Sequence, residues 1–157
     1  MSDSKDKKKR TRKSFSGSYE RAVDLDSGRF NLPFRFRRDD DDGQPADYVV
    51  TLGVDGNLSI YLADVWDDVF GDAKAEAVTV EELALIRDIS ANTFDITPDS
   101  QGRVQVPSQM LKGIGVGKKV FVVGMSNHLE LWDKDVYTAH QQANAHKNPD
   151  FLRKRFA

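Results

Sequence analysis

Val49-Val50-Thr51-Leu52-Gly53-Val54-Asp55-Gly56-Asn57-Leu58-Ser59-Ile60-Tyr61 aligns without a gap on Val120-Phe121-Val122-Val123-Gly124-Met125-Ser126-Asn127-His128-Leu129-Glu130-Leu131-Trp132, at an offset of 71. Each stretch is an apolar strand, a turn containing glycine, and a second strand ending in an aromatic. That is the pattern of a β-hairpin. The match runs on, with Asp64-Val65-Trp66 over Asp135-Val136-Tyr137, both read as short amphipathic helices after the hairpin. Such self-similarity is the first thing to seek in a chain, because a missed repeat misplaces the whole fold.

Upstream, Gly28-Arg29-Phe30-Asn31-Leu32-Pro33 lies over Gly102-Arg103-Val104-Gln105-Val106-Pro107, at an offset of 74. The change of offset falls where the first copy carries Asp39-Asp40-Asp41-Asp42-Gly43. Phe30/Leu32 and Val104/Val106 alternate with polar residues, as a half-buried strand requires. Pro33 and Pro107 stop these strands, and each starts a helical turn or two, over 34–37 and 108–112. The unit is therefore strand, Gly-Arg turn, strand, proline, short helix, hairpin, short helix, and it occurs twice. One copy of about 50 residues buries too little surface to stand alone. The expected fold is mainly β with short helices, two copies completing one barrel-like core. Between the copies, Thr79 and Glu82 form a capping box, with Leu83, Ile86 and Ile89 on one helical face.

Composition narrows the function. The 157 residues carry 23 Lys+Arg against 25 Asp+Glu, for a formal charge of −2. That near-neutrality hides an asymmetry: residues 1–38 carry a net +7 and residues 39–157 a net −9. The basic part includes Lys5, Lys7, Lys8, Lys9, Arg10, Arg12 and Lys13, then Arg29, Arg35, Arg37 and Arg38. Such clusters suit a polyanion, since each neutralised phosphate releases counterions. The first run has no apolar residue before Phe15 and is expected to be disordered, as a DNA arm or as a solubilising tail. The four adjacent aspartates read as an exposed loop that screens the neighbouring arginines.

There is no cysteine, which excludes disulfides, thiolate metal sites and cysteine nucleophiles. No apolar run approaches the roughly 18 residues of a membrane span. The charged N-terminus lacks the apolar stretch of a secretory signal. A soluble cytoplasmic protein is expected. No nucleophile–base pair or metal-ligand cluster stands at recognisable spacing, so no catalytic residue, metal or cofactor is expected. Gly113-Ile114-Gly115-Val116-Gly117 leads into a strand and not a helix, which discounts a dinucleotide loop. His128, His140 and His146 read as solvent-exposed, and Tyr61, Trp66, Phe121 and Trp132 as core or subunit interface.

Phe15-x-Gly17, Val23-Asp24…Gly28-Arg29…Leu32-Pro33…Arg37, Phe94-Asp95…Asp99-Ser100-Gln101-Gly102-Arg103…Val106-Pro107 and the closing Leu129-Glu130-Leu131-Trp132-Asp133 resemble the MraZ family. The resemblance spans about residues 15–140. It implies two AbrB-like swapped-hairpin units, 15–70 and 94–140, forming one small β-barrel. A basic arm (1–14), a linker helix region (71–93) and a polar tail (141–157) flank them. It further implies a DNA-binding transcriptional regulator of the division and cell-wall gene cluster. Such a regulator is a homo-oligomeric ring of about eight subunits, nucleoid-associated, on repeats in its own promoter. The alternative within this fold group is a protein-interaction or antitoxin-like module.

The same resemblance points to Gly28 and Arg29 as DNA-binding, with Arg35, Arg37, Arg38, Lys13 and Arg12 as supporting cations. Asp24, Asp26, Asp99 and Arg103 structure the turns. The second turn keeps the family's Asp-x-x-x-Arg spacing. The first, Asp24-Leu25-Asp26-Ser27-Gly28-Arg29, is one residue longer and has Ser27 where a lysine is usual. Two roles are open to Arg29: pairing with Asp24 or Asp26 to fix the turn, or meeting phosphate or a base edge. Arg103, with Asp99 well placed, leans to a structural or subunit-interface role.

Overall fold

The computed structural model describes residues 12–145 and 148–157. The Lys5–Arg10 run and His146 lie outside them. Strands β1 (Ser18–Asp24), β2 (Arg29–Asn31), β3 (Tyr48–Leu52) and β4 (Leu58–Leu62) belong to the first copy. Strands β5 (Phe94–Ile96), β6 (Arg103–Gln105), β7 (Lys119–Gly124) and β8 (Leu129–Asp133) belong to the second. Helices α1 (Ala63–Glu76) and α2 (Val80–Ala91) lie between the copies; α3 (Ser108–Gly113), α4 (Lys134–Asn144) and α5 (Pro149–Phe156) follow. A 3₁₀ turn at Phe34–Phe36 takes the place of α3 in the first copy.

All eight strands form one antiparallel sheet in the order β5-β3-β4-β8-β7-β1-β2-β6, curled into a nearly closed barrel. The ladder exchanges hairpins between copies. Strand β1 of the first copy pairs with β7 of the second, and β5 of the second with β3 of the first. The pairs β2·β6 and β4·β8 join equivalent strands across the pseudo-twofold axis. Neither copy closes a core without the other, as the size of one copy requires. Tyr48, Leu58, Ile60, Val104, Leu129 and Leu131 are fully buried at the centre. Strands β3, β4 and β7 are largely buried on both faces because α1 packs outside the first hairpin and α4 outside the second. Tyr48 donates its hydroxyl to the Phe36 carbonyl at 2.8 Å, and burial pushes the phenol up from its usual range.

Helix α2 opens on the expected capping box: Thr79 Oγ1 accepts from the Glu82 N–H at 3.0 Å, and Glu82 accepts from the Thr79 N–H at 3.2 Å. Two stretches depart from expectation. Helix α1 runs through Gly71 to Glu76, since the good helix formers after the glycine offset its cost of about 1 kcal/mol. Residues 149–156, expected as a polar tail, form a helix capped by Asn148, which accepts from the Phe151 N–H at 3.2 Å. The histidines also differ. His128 is half-buried and stacked on Tyr61 at 4.9 Å, and burial pulls its imidazole below the usual value. His140 lies 5.0 Å from Trp132. Trp132 and Phe121 are buried, and Tyr61 and Trp66 half-buried.

Candidate nucleic-acid interface

The β2·β6 pair sets Arg29 opposite Gln105, Phe30 opposite Val104 and Asn31 opposite Arg103. Phe30 and Val104 point into the core, so period-two alternation turns the other four outward. The result is a two-stranded ribbon whose outer face carries two guanidiniums and two amides. Their attachment points span about 7 Å along the strand and about 5 Å across it. Asn31 and Gln105 were not among the candidate residues. Their signal lay in the alternation, and it acquired meaning only once the strands were paired.

The two turns that feed this ribbon differ in geometry. In the second, Asp99 Oδ1 accepts from the N–H groups of Gln101 and Arg103, each at 2.9 Å, and Oδ2 accepts from Arg103 Nε at 2.7 Å. These bonds, the Arg103 N–H first, hold the Asp99 carboxyl below the usual range. In the first, Asp24 stands five residues before its arginine instead of four. Its carboxylate accepts from the Asp26 N–H at 3.1 Å and the Ser27 N–H at 3.5 Å. The Arg29 N–H goes to Ser27 Oγ at 3.3 Å. The Arg29 guanidinium has no partner among the described residues. One inserted residue thus separates an arginine locked to its own turn from one with no partner among the described residues.

The longer turn is nonetheless held firmly. Gln105 Nε2 donates to the Ser27 carbonyl at 2.8 Å, Ser108 Oγ to the Leu25 carbonyl at 2.6 Å, and the Val106 N–H to the Gly28 carbonyl at 2.9 Å. All three come from the second copy. Gly28 lies at φ +76°, and a Cβ there would sit 1.8 Å from the Val106 carbonyl oxygen, so only glycine fits the turn. Gly102 is its counterpart, at φ +79° against the Arg37 guanidinium.

The other cations fall into four settings. Arg35 is exposed, without a side-chain partner among the described residues. Arg37 is half-buried, donating Nε to the Leu32 carbonyl at 2.9 Å beside Phe34. Arg38 does not reach the surface, contrary to its expected place among the supporting contacts. It is 6% exposed and donates to the carbonyls of Arg12, Ser14 (2.9 Å), Arg35 (2.7 Å) and Arg37 (3.0 Å). It also lies 4.5 Å from the Phe15 ring centroid, and burial lowers its affinity for the proton. Arg38 therefore clamps the entering chain. Arg12 donates Nε to Ser14 Oγ at 2.6 Å, and Lys13 is ion-paired with Asp64. The aspartate loop is a tight reverse turn in which Asp40 Oδ1 accepts from the Asp42 and Gln44 N–H groups at 2.9 Å. Among the described residues no helix is long and apolar enough to cross a membrane.

The family model described as "MraZ protein, putative antitoxin-like" matches residues 89–153. Similar proteins cover both copies. The chain is 30% identical over 144 residues to a protein of Cutibacterium acnes, covering 91% of this chain and 98% of that one. It is 32% identical over 129 residues to one of Mycobacterium ulcerans, covering 82% and 87%. A protein of Acetivibrio thermocellus is 28% identical over 127 residues, covering 80% and 85%. Each of the three is named "Transcriptional regulator MraZ". The paired turns, the swapped hairpins and this similarity along nearly the whole chain agree: the chain belongs to the MraZ family.

Proposed function

We propose that this protein is a transcriptional regulator that binds double-stranded DNA through the β2·β6 ribbon. The observation that carries this reading is the exposed Arg29 guanidinium, without a partner among the described residues, on a turn held by three bonds from the second copy. A two-stranded ribbon fits the major groove. There an arginine fork donates to guanine O6 and N7, and Asn31 and Gln105 match the adenine edge. Arg35 supplies phosphate contact and sets register without sequence information. The names of the relatives support the regulatory role. No enzymatic step, metal or cofactor enters the reading.

One ribbon per subunit offers too few contacts for tight binding alone. The protein therefore acts as a homo-oligomeric ring of about eight subunits, whose repeated ribbons meet repeated sites in the promoter of its own operon. It works in the cytoplasm on the nucleoid, within a division and cell-wall gene cluster. A duplex with two direct repeats should bind more than about tenfold tighter than one with a single repeat, through the effective concentration of the second site. Equal affinity for the two duplexes would exclude this mechanism.

A protein-interaction module is the second reading. It is favoured by α2, which exposes Val80, Leu83 and Leu85, and by the antitoxin-like description of the family. Stoichiometric capture of one protein, with no DNA affinity at moderate salt, would support it.

A further inference from the structure

Helix α1 carries Asp64, Asp68 and Asp72 at four-residue spacing, all exposed, on one ridge. Beside its first turn lies a cleft whose wall includes Asp39, Asp40, Asp41, Asp47 and Asp64. This acidic surface already holds a cation of the N-terminal basic run. Lys13 lines the cleft and pairs with Asp64, and Asp68 and Asp41 also favour its charged form. The chain's path into the site is set by the buried Arg38, which binds the carbonyls on both sides of Lys13, at Arg12 and Ser14. The eleven residues before Arg12 reach at most about 40 Å when extended. The 14-residue α1 is about 21 Å long. Residues 5–10 bring five cations against one aspartate.

We propose that the acidic ridge of α1 and its adjoining cleft are the docking surface for the chain's own basic segment, Lys5–Arg10, and that DNA phosphate competes for the same cations. Without DNA the segment lies on its own subunit. On DNA the phosphates recruit it, and the loss of the intramolecular pairs lowers the net gain. Non-specific binding, which draws most of its phosphate contacts from these cations, is penalised more than binding that adds base contact through the ribbon. The docking stands independently of the DNA reading above; the competition rests on it.

The chain has no cysteine, so Ser4→Cys with Ala73→Cys places two spin labels in the full-length protein at chosen sites. Pulsed electron spin distance measurement should give a short, narrow distribution at low salt. It should lengthen and broaden at about 1 M salt, where the screening length is ~3 Å, and in Asp64→Asn/Asp68→Asn. A broad distribution indifferent to salt would overturn the docking. A short distance found only when singly labelled chains are mixed would overturn its placement on the same subunit. A shuffled duplex should lengthen the distance; tight duplex binding with the distance unchanged would overturn the competition. If docking is seen and no duplex binds at all, the DNA reading fails while the docking holds. As a second readout, Asp64→Asn/Asp68→Asn should tighten shuffled-duplex binding about threefold to tenfold. That gain should vanish when Lys5, Lys7, Lys8 and Lys9 are changed to Gln. Its persistence there would overturn the arm's role.

Discussion

Asp99 meets Arg103 with both carboxylate oxygens, whereas Asp24 serves only the backbone of its own turn. The spacing in sequence makes this difference legible, because a four-residue interval closes a local ring and a five-residue interval does not. Arg38 was not legible. Ser14, one of its partners, is 24 residues away, and only the fold brings the two together. Arg38→Ala should lower unfolding stability by about 2–3 kcal/mol, because buried carbonyls lose a charged donor; chemical denaturation measures this. An unchanged midpoint would mean that water replaces the guanidinium at no loss. Asp99 allows a test by pH. Its folded value is depressed, so its bonds stabilise the turn fully above the ordinary aspartate range. That contribution is lost as pH falls through the depressed value. Carbon NMR of the Asp99 carboxyl should show it titrating below the ordinary aspartate range. A titration within that range would deny the lock.

Among the elements, the hairpins and the capped α2 follow from local pattern: alternation, turn glycines and Thr79 with Glu82. What local pattern lacks is pairing. Arg29, Asn31, Arg103 and Gln105 share a face because β2 and β6 are neighbours at this register, and a slip of one residue would turn all of one strand's side chains inward. Helix α5 escaped notice because its signals, Asn148 and Pro149, sit in a short polar stretch, and the helix buries none of its residues among the described ones. Gly28→Ala tests the ribbon's entry turn. The new methyl group would meet the Val106 carbonyl oxygen in a left-handed backbone conformation. The expected loss is about 2–4 kcal/mol, read as a lower thermal midpoint. Gly43→Ala, at φ +78° in open space, should lose only about 1 kcal/mol. Equal losses at both positions would mean that strain, and not the close approach, decides.

For the whole molecule, the repeat announced a barrel, and the hairpin exchange explains why both copies are required. Assembly was not legible in the same way, because subunit contacts leave no periodic mark on a single chain. Charge distribution is a property of this scale too. A basic first part and an acidic remainder give one chain the two opposite charges that the proposed DNA contact and arm docking each require. The central claim is that Arg29 on the β2·β6 ribbon reads DNA. The most direct measurement is fluorescence anisotropy on the duplex upstream of the protein's own gene and on a shuffled duplex, across a salt series, with wild-type protein and Arg29→Ala. The expected result is tight binding to the native duplex, weakened at least about tenfold by Arg29→Ala, as loss of a bidentate base contact implies. Binding to the shuffled duplex should be weak and steeply salt-dependent. Equal affinity for both duplexes, untouched by Arg29→Ala, would contradict the account.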